Sequence, residues 1–135
     1  MRFAFTILYV ADVMASISFY EKAFGFARKF VTPENDYGEL ETGATVLAFA
    51  SLGLGESNFN KSGGFTPSTS QLEKPFGIEV AFTTEQIQVD FDRAVKAGAT
   101  VYKAVEQKPL GHKVGYVRDI NGFLIEICTP IKAAK

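Results

Sequence analysis

Cysteine and histidine are nearly absent from this chain: Cys128 and His112 are the only examples among its 135 residues. A single cysteine excludes an intrachain disulfide and any CxxC-type metal or redox site. Net charge is lacking too. Fourteen Lys and Arg against fifteen Asp and Glu leave a formal charge of −1, with no block of one sign. Nucleic acid and anionic membrane surfaces, which need a basic stripe, are thereby excluded as partners. The longest apolar run, Phe3 to Val10, is broken by Thr6 and is far too short to span a bilayer. No apolar core and cleavage site follow Met1-Arg2, so a cytoplasmic protein is expected. What remains is an ordinary globular composition, 47% hydrophobic and 21% charged. A domain of this size buries about two-thirds of its unfolded surface and needs no staple.

Periodicity divides the chain into two similar halves. Phe3 to Val10 alternates as a strand. Asp12 or Ser16 can cap the helix that follows, with Val13, Ile17, Tyr20 and Phe24 on one face and Gly25 at its end. Ala27 to Val31, Tyr37 to Glu41 and Thr45 to Ser51 read as three short strands. Residues 52–74, rich in glycine and serine, read as a linker loop. A loop of that length inside a compact domain is more often functional or mobile than neutral. The first pattern then recurs. Gly77 to Thr83 is a strand, and Thr83 or Thr84 can cap a helix carrying Ile87, Phe91, Ala94 and Val95 on one face. Gly98 ends that helix, and strands at Thr100–Ala104, His112–Arg118 and Phe123–Cys128 complete the half. Asp119-Ile120-Asn121-Gly122 joins the last two, Asn-Gly being a strong hairpin signal. The expected architecture is α+β: two βαβββ repeats, about residues 1–51 and 75–131, forming one curved, cup-like mixed sheet with helices on its convex side. Neither half is large enough to bury both faces of its strands alone.

Strand phase singles out two acids. In the last strand Phe123, Ile125 and Ile127 share one face, while Glu126 stands between Leu124 and Cys128 on the other. In Gly77–Thr83, Ile78, Val80 and Phe82 face one way, with Glu79, Ala81 and Thr83 opposite. Both strands aim a glutamate at the concave side. A solvated glutamate on an open sheet face is the plain alternative for either one. If the two converge, repulsion and desolvation raise at least one of them and couple their titration. Such a pair can share a proton, act as acid and base, or receive a cationic group. The matching positions of the first half, Phe5, Tyr9 and Ala48, are apolar apart from one phenol. His112 and Tyr116 share a face of the seventh strand, so the histidine is a candidate for the cavity, although a lone histidine is ordinarily a surface or hydrogen-bonded residue. Cys128 reads as a small core residue, with no basic neighbour in sequence to favour a thiolate. The glycine pairs near 53–55 and 63–64 make no phosphate loop, because no Gly-Lys-Ser/Thr follows.

Two segments carry a likeness to a known family. Asp12-x-x-x-Ser16-x-x-Phe19-Tyr20-x-x-x-Phe24-Gly25-Phe26 resembles the opening signature of the glyoxalase, bleomycin-resistance and extradiol-dioxygenase group, the vicinal-oxygen-chelate superfamily. Tyr116 to Ile127 resembles the closing one, with Ile120 and Asn121 in place of the usual Pro and Asp. The resemblance covers nearly the whole chain and implies the paired βαβββ fold and a homodimer. In metal-dependent relatives the ligands stand at the positions held here by Phe5, Ala48, Glu79 and Glu126. Only Glu126 matches the family pattern, and Glu79 replaces the usual histidine. Transition metals want at least three protein ligands with nitrogen or sulfur favoured, so no metal cofactor is expected. Two carboxylates could hold a hard divalent cation only weakly, and this is the alternative.

Three functions follow as expectations. One is a metal-free module binding a small organic molecule, with Glu79 and Glu126 orienting it and Phe5, Tyr9, Ala48, His112 and Tyr116 lining the cavity. Another is a lyase or isomerase of the glyoxalase type, with Glu126 as general base and Glu79 as its partner. The third is an interaction domain whose cavity is filled by its own side chains.

Overall fold

The computed structural model describes residues 1–131. Its elements run β1 (Phe5–Val10), α1 (Val13–Phe24), β2 (Ala27–Val31), β3 (Tyr37–Glu41), β4 (Val46–Ser51) and α2 (Leu52–Phe59). After a 3-10 turn at Asn60–Ser62 come β5 (Glu79–Thr83), α3 (Ile87–Ala97), β6 (Thr100–Gln107), β7 (Lys113–Arg118) and β8 (Leu124–Cys128). The strands form two four-stranded mixed sheets of the same order, β1-β4-β3-β2 and β5-β8-β7-β6. This is the expected α+β class. The two four-stranded modules lie as two open sheets, with no ladder between them among the described residues. The halves meet through side chains.

That junction is a helix layer with an aromatic seam. Val13, Ile17 and Tyr20 of α1 are buried, as are Phe91 and Ala94 of α3. Phe82 of β5 packs against Phe24 and Phe26, ring centroids 5.0 and 4.8 Å away. The Arg93 guanidinium of α3 donates to the carbonyl of Lys22 at 2.7 Å, satisfying an end group that α1 leaves open. Asp12 is the N-cap of α1, its carboxylate accepting from the Ala15 amide at 2.9 Å, and Gly25 ends the helix at φ +77°. The cap expected for α3 falls elsewhere: its N-cap is Gln86, while the Thr84 hydroxyl accepts from the Gln86 amide and bonds Asp90.

The linker is the second departure. Residues 52–59 are helical rather than loop, because the Ser51 hydroxyl caps the helix by accepting from the Leu54 amide at 3.0 Å. Gly55, read from sequence as a breaker, meets a packing need. A Cβ there would lie 2.5 Å from the Phe65 ring and 3.0 Å from Tyr9. Since Tyr9 points away from α1, α2 sits on the opposite face of the first sheet from α1. The helices are therefore not confined to one side.

Candidate ligand site on the second sheet

The face of the second sheet turned away from α3 carries the acids. Ile125 and Ile127 of β8 enter the core, which sends Leu124, Glu126 and Cys128 the other way. The β5–β8 ladder pairs Glu79 with Leu124 and Ala81 with Glu126, so the glutamates are diagonal neighbours, within reach of long side chains. On the other side of β8, Tyr116 pairs with Glu126. The ladder register therefore brings Glu79, Tyr116 and Glu126 together.

Their electrostatics agree with this grouping. The Glu79 carboxyl is raised above its ordinary value by lost solvation first, then by the charge of Glu126 and a hydrogen bond with it. Glu79 stays exposed as a residue, so its rim position and its raised carboxyl coexist. The Tyr116 phenol is pushed up to about 12 by burial, then by a hydrogen bond to Glu126 and the charges around it. The Cys128 thiol is also raised, by burial and then by Glu126. Glu79, Tyr116 and Cys128, each shifted towards holding its proton, thus gather round Glu126.

Beside them lies a hollow of about 420 Å³, bordered by Glu79, Tyr116 and Leu124 together with Phe76, Ile78 and Tyr102. Its rim is fixed from beneath. Arg118 donates to the carbonyls of Gly122 at 3.0 Å and Leu72 at 2.7 Å, and the Ser68 hydroxyl donates to the Asn121 carbonyl at 2.9 Å. These bonds hold the strap 68–72, a turn closed by the Leu72 amide on the Thr69 carbonyl, four residues before Phe76. Another hollow, about 330 Å³, opens at the seam between the sheets, but no ionisable side chain borders it.

The other candidates lie apart. Phe5, Tyr9 and Ala48 belong to the first sheet, where the β1–β4 register places Phe5 as the counterpart of Glu79 and Ala48 as that of Glu126. Ala48 is buried and Phe5 is 50% exposed. Tyr9 packs on Phe65 and Phe59, centroids 4.8 and 6.0 Å away. His112 precedes β7 at the far end of the second sheet and borders a different hollow with Glu85, Leu110 and Thr129; its Nδ1 is buried without a partner among the described residues. Sequence reasoning passed over Phe76 and Tyr102. A bulge between Val101 and Lys103 breaks the period that would have placed Tyr102. It also passed over Glu39, 7% exposed, which accepts from the Tyr37 hydroxyl at 2.7 Å and faces Lys29 at 3.6 Å. Tyr37-Gly38-Glu39-Leu40 alternates as clearly as the strand of Glu79, so that signal was available.

These donors do not suit a transition metal. The first-sheet positions are apolar, the one imidazole is elsewhere, and no group of three or more His, Cys, Asp or Glu is placed to hold an ion among the described residues.

Two βαβββ units beside an acidic, aromatic-rimmed hollow define the paired-module class of α+β proteins. The chain belongs to the Glyoxalase/Bleomycin resistance protein/Dioxygenase superfamily, whose sequence model matches residues 2–127. It is similar to an uncharacterized protein of Mycobacterium bovis (strain ATCC BAA-935 / AF2122/97), 28% identical over 93% of this chain and 81% of that one. Among solved structures it is similar in fold to a glyoxalase-related enzyme from Fulvimarina pelagi, with TM-score 0.77 and 23% identity over 96% of this chain and 88% of that one. A glyoxalase/bleomycin resistance protein/dioxygenase family enzyme from Burkholderia phytofirmans PsJN gives TM-score 0.73 and 20% identity, over 93% and 96%.

Proposed function

We propose that this protein binds a small organic molecule in the hollow beside Glu79, Tyr116 and Glu126, without a metal ion. The observation carrying the proposal is the convergence of those three side chains next to a space of about 420 Å³, within the size range of small-molecule sites. Of the first-sheet positions, Phe5 enters through a homodimer, in which a second copy lays its first sheet towards this face and closes a shared cavity, while Ala48 and Tyr9 stay packed within their own chain. The apolar surface left open on β1, where Phe5 and Ile7 are 50% and 42% exposed, supports that arrangement. Thermal shift against a panel of metabolites and antibiotics, with EDTA and with added divalent metals, tests the reading. Ligands should stabilise the protein whether or not metal is present, and Glu126→Gln should abolish the effect. Stabilisation that appears only with metal would sink it.

One observation favours a second reading, a metal-independent lyase or isomerase. Tyr116, protonated through neutral pH, is a donor that could stabilise negative charge developing on a substrate oxygen, with Glu126 as proton acceptor and Glu79 as its partner. Turnover of a panel compound, lost in both Glu126→Gln and Tyr116→Phe, would decide for the enzyme. No response to any compound would favour an interaction domain.

A further inference from the structure

The rim of the hollow is chemically uneven. Glu79 borders it, and Glu126, the diagonal neighbour of Glu79 on the ladder, adjoins it, so acidic side chains gather at one wall. The lining contains one basic residue, Lys103, and that ammonium is already engaged, 2.9 Å from the Glu106 carboxylate on the same strand. Glu106 in turn draws Lys108 to 2.8 Å, so this small charge cluster is satisfied within β6 and the residue just after it. The remaining walls are aromatic or aliphatic. Tyr102 is 54% exposed and Phe76 39%, so two ring surfaces meet water at the mouth, with Tyr116 and Leu124 further in. Aromatic faces attract cations through the ring quadrupole, and a carboxylate beside them adds a directed, charge-assisted hydrogen bond.

We propose that the hollow selects a protonated amine carried on a flat apolar body, Glu79 and Glu126 receiving the ammonium while Phe76 and Tyr102 flank the body. This rests on the small-molecule reading above and adds the ligand's chemical class to it. An anion of the same shape would meet the two carboxylates and is excluded. A neutral analogue would keep the ring contacts and lose the ion pairing.

The test uses three matched indoles: tryptamine (cation), tryptophol (neutral) and indole-3-propionate (anion). The chain has no tryptophan, so the anisotropy of the probe's indole fluorescence reports binding without interference. Amide shifts in a 15N spectrum locate it. Tryptamine should shift Gly77, Glu79, Tyr102 and Tyr116, and should bind at least about tenfold tighter than tryptophol, with indole-3-propionate weaker still. Phe76→Ala combined with Tyr102→Ala should weaken tryptamine by about tenfold or more. Glu106→Gln, an exposed change that releases Lys103, should weaken tryptamine and strengthen indole-3-propionate. Equal binding of tryptamine and tryptophol at the same amides would overturn the charge selection while leaving a small-molecule site in place. Tryptamine shifting only amides outside the hollow, or none, would overturn this proposal; the ligand panel with Glu126→Gln then decides the broader reading separately.

Discussion

Among the described residues, two carboxyls are pushed towards their protonated forms, and each has measurable consequences. Asp119 is 3% exposed, and burial raises it more than the Tyr20 hydroxyl, the Phe123 and Asn121 amides and Arg118 lower it. An acid raised in the folded state stabilises the fold in acid and loses that contribution as pH climbs through its folded value. Asp119→Asn should therefore show a flatter stability profile than the parent from acid to neutral pH. Asp119→Ala strands the Tyr20 hydroxyl, now 2.5 Å from its partner, and two backbone amides, and should cost about 2–4 kcal/mol in urea unfolding at neutral pH. Glu79 is raised by the same rule. An NMR titration should find it above the ordinary glutamate value, and Glu126→Gln should bring it down; a Glu79 curve indifferent to that change would remove the coupling. Both glutamates were legible because a strand alternates its faces every residue, leaving a lone acid among apolar neighbours conspicuous. Tyr102 was not, since its strand carries a bulge. The convergence of Glu79 with Glu126 needed the ladder register, which no local pattern contains.

At the scale of elements, the strap and its turn are the sensitive parts. Gly122 sits at φ +84°, and a Cβ there would lie 2.2 Å from the Thr69 carbonyl. Gly122→Ala should cost about 2 kcal/mol or more and speed hydrogen exchange across 68–72, because strain and overlap fall on the same residue. Gly115 makes a comparable demand on the helix side, where a Cβ would come within 2.8 Å of the Phe91 ring. Gly115→Ala should lower the stability measured by urea unfolding by about 1–3 kcal/mol without altering tryptamine binding, separating core packing from the site. Strands and the two long helices were readable from period, and α1 from its Asp12 cap as well, whereas the start of α3 at Gln86 was not. The helix α2 was not: Gly53 and Gly55 weaken any local preference, and its stability comes from Ser51 and from packing on Tyr9 and Phe65, a ring ten residues further along the chain.

For the whole molecule, the proposed homodimer and metal independence make separable claims. Sedimentation should show a dimer that Phe5→Glu or Ile7→Glu shifts to monomer, because a charge on that open face has no compensating partner. Chelation should leave melting unchanged, and a drop on adding EDTA would count against the donor set as described. The order of elements along each half could be inferred from the repeated pattern and the family resemblance. The division into two sheets could not, since it depends on how the edges β1 and β5 meet in space.

That division has a mechanical corollary. Along each ladder, load is shared by a row of backbone bonds, whereas across the junction it falls on side-chain packing and a few latches such as Tyr20 with Asp119 and Arg93 with Lys22. Pulled sideways, the protein would part like two shingles, each keeping its own weave, well before either sheet frayed.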